Sequence, residues 1–240
     1  MDSRVPEIRK HLKKKLDAYR YEHTLGVEFT CQALAMRYGY DLDKADLAGL
    51  LHDSAKRFEN PVMLQKCLDR GIPVTAEEER DPSLLHAKLG AWMAENKYGV
   101  DNPEILSAIT CHTTGKPGMS LLDKILYVAD YIEPRRSKAA NLPEMRKLAF
   151  IDLDQACFEI MESILEYLKS TGCQIDPMTE AACQDMRRVV SEKQKETAGA
   201  AGETDQDKEE QSVESVKRNG KACSRGFGRE KRRRCENYRH

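Results

Sequence analysis

Apolar residues recur at helical spacing along most of the chain. Between residues 21 and 38, Val27, Thr30 and Leu34 share one stripe with His23, and Gly39 follows as a helix stop signal. Similar stretches bounded by glycine or proline predict further helices at residues 43–52, 60–70, 84–98, 103–112, 120–132, 143–149, 153–171 and 177–195. Continuous runs of β-branched residues, which favour strands, are absent from the sequence. We therefore predict an all-α fold, a compact bundle of many helices.

The apolar periodicity ends near Lys195. Residues 196–216 offer too few apolar side chains for a packed core, so we expect an acidic, disordered linker there. Residues 217–240 then carry ten Lys and Arg against two Glu, a net charge of +8. The predicted organisation is one folded domain at residues 1–195 and a disordered tail at residues 196–240, acidic first and basic at its end.

Composition indicates the cellular compartment in which we expect the protein. The 240 residues have a net charge of −1, and no run approaches the ~20 apolar residues that a membrane-spanning helix requires. The charged amino terminus lacks the apolar region of a secretory signal. The eight cysteines form no C-x-x-C pair and read as small buried residues in a reducing compartment. We expect a cytoplasmic protein without a membrane partner.

Four histidines fall on inward-facing helical stripes: His23, His52, His86 and His112. A lone histidine in such a position is usually a core residue with a backbone hydrogen bond. Four imidazoles directed into one core would compete for few partners, whereas a divalent cation satisfies them all. Asp53, directly after His52, and Asp130, beside an apolar stripe, add carboxylates that would be costly to bury unpaired. The pattern favours a metal site.

These residues stand in family-specific segments: AGLLHDSAK, LLHAKLGAWMA and AITCHTTGKPGMSLLDKILYVADYIEPRR. The ordered pattern H…HD…H…H…D resembles the dinuclear branch of the HD-domain phosphohydrolase superfamily. Within it, residues 5–195 are similar to the bacterial symmetrical bis(5′-nucleosyl)-tetraphosphatases. The HTTG and ADYIEPxR segments carry most of this resemblance, which implies an HD-domain bundle for the folded part.

The resemblance also implies a ligand set and a reaction. Two divalent metal ions are expected, bridged by Asp53, the first bound also by His23, His52 and Asp130 and the second by His86 and His112. Iron is favoured, with manganese or cobalt as alternatives, since imidazole and carboxylate ligands suit all three. A hydroxide bridging the metals would attack a dinucleoside tetraphosphate, converting diadenosine tetraphosphate into two ADP. The residues alone support only metal-dependent hydrolysis of a phosphoester or phosphoanhydride.

A polyphosphate substrate also needs cationic and donor groups beside the metals. We assign His52, Asp53 and Lys56 as catalytic residues. The predicted substrate contacts are Lys56, Thr113, Thr114, Gly115, Tyr127 and Arg135. The alternatives are a solvated charge for the cations, an ordinary interhelical turn for residues 113–115 and plain core packing for Tyr127.

Other functions remain open at this point. An HD phosphohydrolase could act on a deoxynucleotide, a guanosine alarmone, a nucleoside monophosphate or a cyclic nucleotide. A protein of another class would bind nucleotides or RNA through the basic residues 217–240, although a solvated tail is the favoured reading of that segment. A homodimer through the helices from Pro143 onward is compatible with the pattern, which does not require one.

Overall fold

The computed structural model of the protein describes residues 2–204, with side chains described as far as residue 197. Within this range the chain forms eleven α-helices and no β-strand. Their bounds are α1 (Val5–Lys15), α2 (Ala18–Tyr38), α3 (Leu42–Leu51), α4 (Asn60–Leu68), α5 (Ala76–Arg80), α6 (Leu85–Tyr98), α7 (Pro103–Cys111), α8 (Leu121–Ile132), α9 (Leu142–Leu148), α10 (Leu153–Thr171) and α11 (Pro177–Thr204). The predicted all-α class is confirmed.

Local signals in the sequence fix where several helices begin and end. The Asp17 side chain accepts a hydrogen bond from the Arg20 backbone amide at the start of α2, and Ser120 forms a reciprocal capping box with Asp123 at the start of α8. Gly39 ends α2 with a left-handed backbone at φ +67°, which costs glycine little because it has no Cβ. These caps set the lengths of the two helices that carry His23 and Asp130.

The main core lies where α2 and α3 pack against each other and against α7 and α8. Helix α10 covers the other side of α8, and α11 packs on α10. Close approach of α2 and α3 depends on Gly49, because a Cβ at that position would lie 2.7 Å from the Glu28 Cα atom. A second cluster, between α4 and α6, contains Met63 and Leu89. The arrangement brings the ends of α3 and α7 to the same region as the middle of α2.

A buried polar cluster joins α1, α2 and α3 away from the histidines. The Arg9 guanidinium donates to the Glu28 carboxylate at 2.9 Å, and the Gln32 amide donates to Asp46 at 2.5 Å. Glu28 is fully buried. Burial, together with the neighbouring Asp46 carboxyl, raises the pKa of Glu28 to about 8. This cluster therefore links the stability of the helix packing to pH.

The last helix extends further than the sequence pattern indicates. α11 continues to Thr204, past the predicted domain boundary at Lys195. The predicted basic tail at residues 217–240 lies outside the described residues, as does the predicted RNA contact. Along the described part of the chain, every helix is too short or too polar to traverse a lipid bilayer.

Candidate metal centre

Four imidazoles meet at the centre of the bundle, each supplied by a different part of the fold. His23 lies on α2, His86 lies in the first turn of α6, and His52 and His112 directly follow α3 and α7. Neighbouring rings are separated by 5.0 to 5.4 Å between centroids. All four side chains are buried. The prediction that these histidines share one interior is therefore consistent with the structure.

The Nδ1 atom of each ring, which faces away from the centre of the cluster, lies within hydrogen-bond distance of an acceptor. Backbone carbonyls at Gly49, Ser83 and Ile109 accept from Nδ1 of His52, His86 and His112 at 2.7, 2.5 and 2.7 Å. The Glu133 carboxylate lies 3.1 Å from Nδ1 of His23. Because a carbonyl oxygen can only accept, the Nδ1 atoms must donate. In the neutral rings the lone pairs are therefore on Nε2, which faces the centre.

Asp53 lies between two pairs of imidazoles. Its Oδ2 atom is 3.5 Å from Nε2 of His52 and 3.9 Å from Nε2 of His23. Its Oδ1 atom is 3.4 Å from Nε2 of His86 and 3.7 Å from Nε2 of His112. The two oxygens of one carboxylate thus face two separate histidine pairs, which is the arrangement required of a bridging ligand.

Asp130 completes the first of these groups. Its Oδ1 atom lies 3.1 Å from Nε2 of His23 and 4.0 Å from Nε2 of His52. The Arg136 guanidinium is 2.8 Å from the same oxygen. The Arg20 guanidinium contacts Asp53 Oδ2 at 2.7 Å. Asp53 and Asp130 therefore each lie within 4.0 Å of the His23 and His52 imidazoles, and each contacts one guanidinium.

The charges in this cluster are strongly coupled. Burial opposes ionisation of Asp53 and Asp130, but the neighbouring imidazoles and guanidiniums hold the pKa of each carboxyl well below its usual range. Burial also opposes protonation of His23, but the carboxylates of Asp130 and Glu133 raise its pKa to about 9. Burial lowers the pKa of His52 to about 4. Both aspartates are therefore anionic at neutral pH, as metal binding requires.

The donor set is suited to a divalent cation. Among the described residues, His52 Nε2 is buried without a hydrogen-bond partner, a costly state for a polar atom. The Nε2 atoms of His86 and His112 are 3.1 Å apart, where two lone pairs repel unless a proton or cation lies between them. Two groups have their ligand atoms close enough to hold an ion: His23, His52 and Asp130, and His52, Asp53 and His112. Imidazole nitrogens and carboxylate oxygens together suit borderline divalent metals.

A pocket opens from this cluster. Asp53, His86, His112 and Asp130 form part of its wall. Most of the predicted substrate contacts also line it, namely Lys56, Thr113, Thr114 and Tyr127. The Thr113 hydroxyl lies 3.2 Å from Nε2 of His86, directly beside the metal ligands. The pocket therefore combines the histidine cluster with cationic and hydroxyl groups.

Two predicted contacts lie elsewhere. The half-exposed Arg135 guanidinium is 2.9 Å from Glu22 at the surface, and Arg136 lines the pocket in its place. The reason is local: α8 ends at Ile132 and the chain turns at Pro134, so helical spacing no longer fixes which arginine points inward. Gly115 has φ +68°, and a Cβ there would lie 2.7 Å from Met161 Cε. This glycine allows the loop to pack on α10, outside the pocket wall.

Three polar residues of the site were missed by the sequence analysis: Arg20, Glu133 and Arg136. Arg20 precedes His23 by three residues and Glu133 follows Asp130 by three, so helical spacing could have indicated both. Glu133 depends on Gly26, because a Cβ at that position would lie 2.4 Å from Glu133 Oε2. The space left by this glycine lets the carboxylate reach His23.

Comparisons with known proteins agree with this geometry. The HD domain family matches residues 20–135. A symmetrical bis(5′-nucleosyl)-tetraphosphatase of Bacillus subtilis is 39% identical over 168 residues, which cover 70% of this chain and 89% of that protein. The protein of the same name from Staphylococcus aureus is 32% identical over 168 residues, covering 68% and 84% of the two chains.

A solved structure shares the fold. The crystal structure of a predicted HD superfamily hydrolase involved in NAD metabolism from Clostridium acetobutylicum is 36% identical, with a TM-score of 0.74. The match covers 76% of this chain and 96% of that one. A helical bundle that gathers four buried imidazoles and two aspartates beside one pocket defines a class, the helical hydrolases with a His/Asp cluster suited to metal binding. The chain belongs to the HD-domain hydrolase family, and its resemblance to that family is confirmed.

Proposed function

We propose that the protein hydrolyses dinucleoside tetraphosphates symmetrically, so that diadenosine tetraphosphate and one water give two ADP. The observation that carries this proposal is the position of Asp53, whose two oxygens face separate histidine pairs. It is supported by relatives named as symmetrical tetraphosphatases, which match most of the folded part of the chain. The proposed ligands are the six sequence-predicted residues: His23, His52, Asp53, His86, His112 and Asp130.

Divalent cations held by these residues would supply Lewis acidity to a phosphoryl group and would lower the pKa of a bound water. Iron is the proposed metal, with manganese or cobalt as alternatives. The identical outer contacts of His52, His86 and His112, each to a backbone carbonyl, orient the three rings before any ligand arrives. The protein thus holds the donor atoms in place without help from the substrate.

Cationic side chains at the pocket wall would bind the phosphate chain. Lys56 and Arg136 both line the pocket that holds the metal ligands. The Arg136 guanidinium is already directed into the site by its 2.8 Å contact with Asp130, so its positive charge would lie beside a bound phosphate with little loss of side-chain freedom. The Thr113 hydroxyl adds a polar group beside His86 and His112. ADP is a stable anion as a leaving group, so no protein acid is assigned.

Product analysis tests the substrate class. The metal-loaded protein is incubated separately with diadenosine tetraphosphate, a deoxynucleoside triphosphate and guanosine tetraphosphate, and the products are separated by anion-exchange chromatography. We expect ADP alone from the first substrate and little turnover of the others. Release of tripolyphosphate from the second or pyrophosphate from the third, without ADP from the first, would overturn the proposal in favour of another HD phosphohydrolase.

A matched pair of variants ties any activity to the site. Asp53→Asn removes the proposed bridging carboxylate, and Asp46→Asn makes the same change at another buried aspartate, on the preceding helix and outside the pocket. We expect turnover to be lost in the first variant and retained in the second. RNA binding by residues 217–240 and a homodimer remain predictions; a salt-dependent RNA titration and sedimentation analysis would test them.

A further inference from the structure

A basic groove lies beside the turn that follows α3, separate from the histidine pocket. Lys56 lines the histidine pocket, whereas Arg57, the next residue, lines the groove. The groove runs between α1 and the end of α6, and its volume is about 920 Å³. Six Lys and Arg side chains line it: Arg4, Lys10, Lys14, Lys15, Arg57 and Lys97. None of the six proposed metal ligands lines this groove, so a ligand bound there would lie apart from the histidine cluster.

Four of these cations form no ion pair with any described residue: Lys14, Lys15, Arg57 and Lys97. The other two are paired, Arg4 with Asp2 at 2.7 Å and Lys10 with Glu7 at 3.7 Å. The grouping does not reflect a general excess of positive charge. The whole chain carries −1 and residues 217–240 carry +8, so residues 1–216 carry −9. Because unpaired cations at close range repel one another, their grouping favours an anionic ligand.

The positive charge continues from the groove onto α4. Burial and the charge of Arg57, together with nearby lysines, lower the pKa of His11, whose side chain lines the groove. Burial and Arg57 also lower the pKa of Lys97, and two cations on α4 act in the same direction: Arg70 and Lys66. We call the resulting set the basic row, which comprises Lys14, Lys15, Arg57, Lys97, Lys66 and Arg70. It connects α1, the turn after α3, the end of α6 and α4.

Aromatic rings hold three cations of the basic row in position. The Arg57 guanidinium lies 4.6 Å from the centroid of the Phe58 ring, and the Lys66 ammonium lies 4.8 Å from the same centroid. The Arg70 guanidinium lies 4.7 Å from the centroid of the Trp92 ring. Cation–π contacts orient these groups before a ligand binds. Less side-chain freedom is therefore lost when the row contacts an anion.

We propose that the basic row binds the phosphodiester backbone of a single-stranded nucleic acid. A row that connects four parts of the fold suits a chain with one negative charge per nucleotide better than it suits a compact anion. The His11 and Tyr98 rings meet edge to face in the groove, with centroids 5.8 Å apart. Such rings can contact the face of an unpaired base, whereas the bases of a duplex stack on one another. This inference goes beyond the proposed function and does not depend on it.

The test measures binding of RNA and DNA strands of one sequence to the full-length, manganese-loaded protein by fluorescence anisotropy. Both strands are about 12 nucleotides long and end in hydroxyl groups, so neither brings a terminal polyphosphate to the histidine pocket. The double variant Arg57→Gln, Lys97→Gln should weaken binding of the preferred strand at least about tenfold at low salt. The plot of log affinity against log salt concentration should become shallower by about 1.4, which is about 0.7 for each lost phosphate contact.

A second double variant, Arg188→Gln, Lys193→Gln, is the matched control. It also removes two cations, but from the surface of α11, where each contacts a carboxylate. We expect it to change strand affinity less than about twofold. Both double variants keep residues 217–240, so any contribution of that basic segment is the same in both. The groove variant should keep the melting temperature of the wild type, because neither of its cations has an ion pair to lose.

Three results would overturn the inference. An equal change of affinity in the two double variants would show that the basic row is not the binding surface. Displacement of the strands by inorganic tripolyphosphate at the same phosphate concentration would assign the groove to a compact anion. Binding of the unaltered protein to phosphatidylglycerol vesicles, but to neither strand, would assign the row to an anionic membrane surface. If the inference holds, the strand that binds more tightly identifies the nucleic acid.

Discussion

Asp53→Asn is the substitution with the most specific expected consequences, because it changes one charge and almost no volume. The carboxylate contacts the Arg20 guanidinium at 2.7 Å, with side-chain exposures of 4% for Asp53 and 10% for Arg20. It also lies within 3.9 Å of all four Nε2 atoms of the histidine cluster. The amide keeps the shape of the carboxylate but removes the negative charge that faces the Arg20 guanidinium at 2.7 Å.

The size of the effect follows from that pair. Removing one partner of a buried ion pair costs about 3 to 5 kcal/mol. Because Arg20 retains some contact with solvent, we expect the lower end, about 3 kcal/mol in the metal-free protein. For a domain of this length, that corresponds to a fall in melting temperature of roughly 6 to 12 °C. The double variant Arg20→Gln, Asp53→Asn removes both charges of the pair and should recover at least ~1 kcal/mol relative to additivity.

Urea unfolding of the metal-free wild type, both single variants and the double variant measures this coupling. The same set is then melted with a divalent metal added, which should raise the melting temperature of the wild type more than that of Asp53→Asn. A single variant within ~0.5 kcal/mol of the wild type, or strictly additive free energies, would refute the ion-pair reasoning. Equal stabilisation of the wild type and Asp53→Asn by metal would refute the bridging role.

Three further predictions concern other parts of the molecule. The pKa of Glu28 in the folded protein, about 8, lies above its ordinary value of 4.5. The stabilising contribution of Glu28 is therefore full below pH ~4.5 and is lost as the pH rises through 8. In urea titrations, Glu28→Gln should lose less stability than the wild type between pH ~6 and ~9. Arg136→Gln should lower kcat/KM at least about tenfold, whereas Arg135→Gln should change it less than about twofold; equal losses in steady-state assays would contradict the placement of these side chains. Dialysis against a chelator should abolish turnover and lower the melting temperature, with recovery on adding metal; a fully active chelated protein would exclude a metal centre.

The histidine and aspartate cluster was predictable because its side chains lie on or directly beside regular helices. Spacing by three and four residues places His23 and Asp130 on the inward faces of their helices. His52 and His112 continue the inward stripes of two neighbouring helices and directly follow their last residues. The hydrogen bonds to the Nδ1 atoms of the histidines were harder to predict from the sequence. Helical spacing could have indicated Glu133, three residues after Asp130, but not that its contact with His23 depends on the missing side chain of Gly26.

Prediction was least successful where regular structure ends. After Ile132 the chain turns at Pro134, and there the sequence does not show that Arg136 rather than Arg135 enters the pocket. The end of α11 was placed too early for a related reason. A helix can continue beyond the end of its apolar stripe, so loss of the stripe does not by itself mark the end of the helix.

The most direct test of the account is the ratio of ADP formed to diadenosine tetraphosphate consumed by the metal-loaded protein, measured beside Asp53→Asn. Symmetrical hydrolysis at the proposed centre predicts two ADP per substrate, with no ATP or AMP, and no measurable turnover in the variant. Formation of ATP and AMP, or turnover that survives the loss of the Asp53 carboxylate, would contradict it.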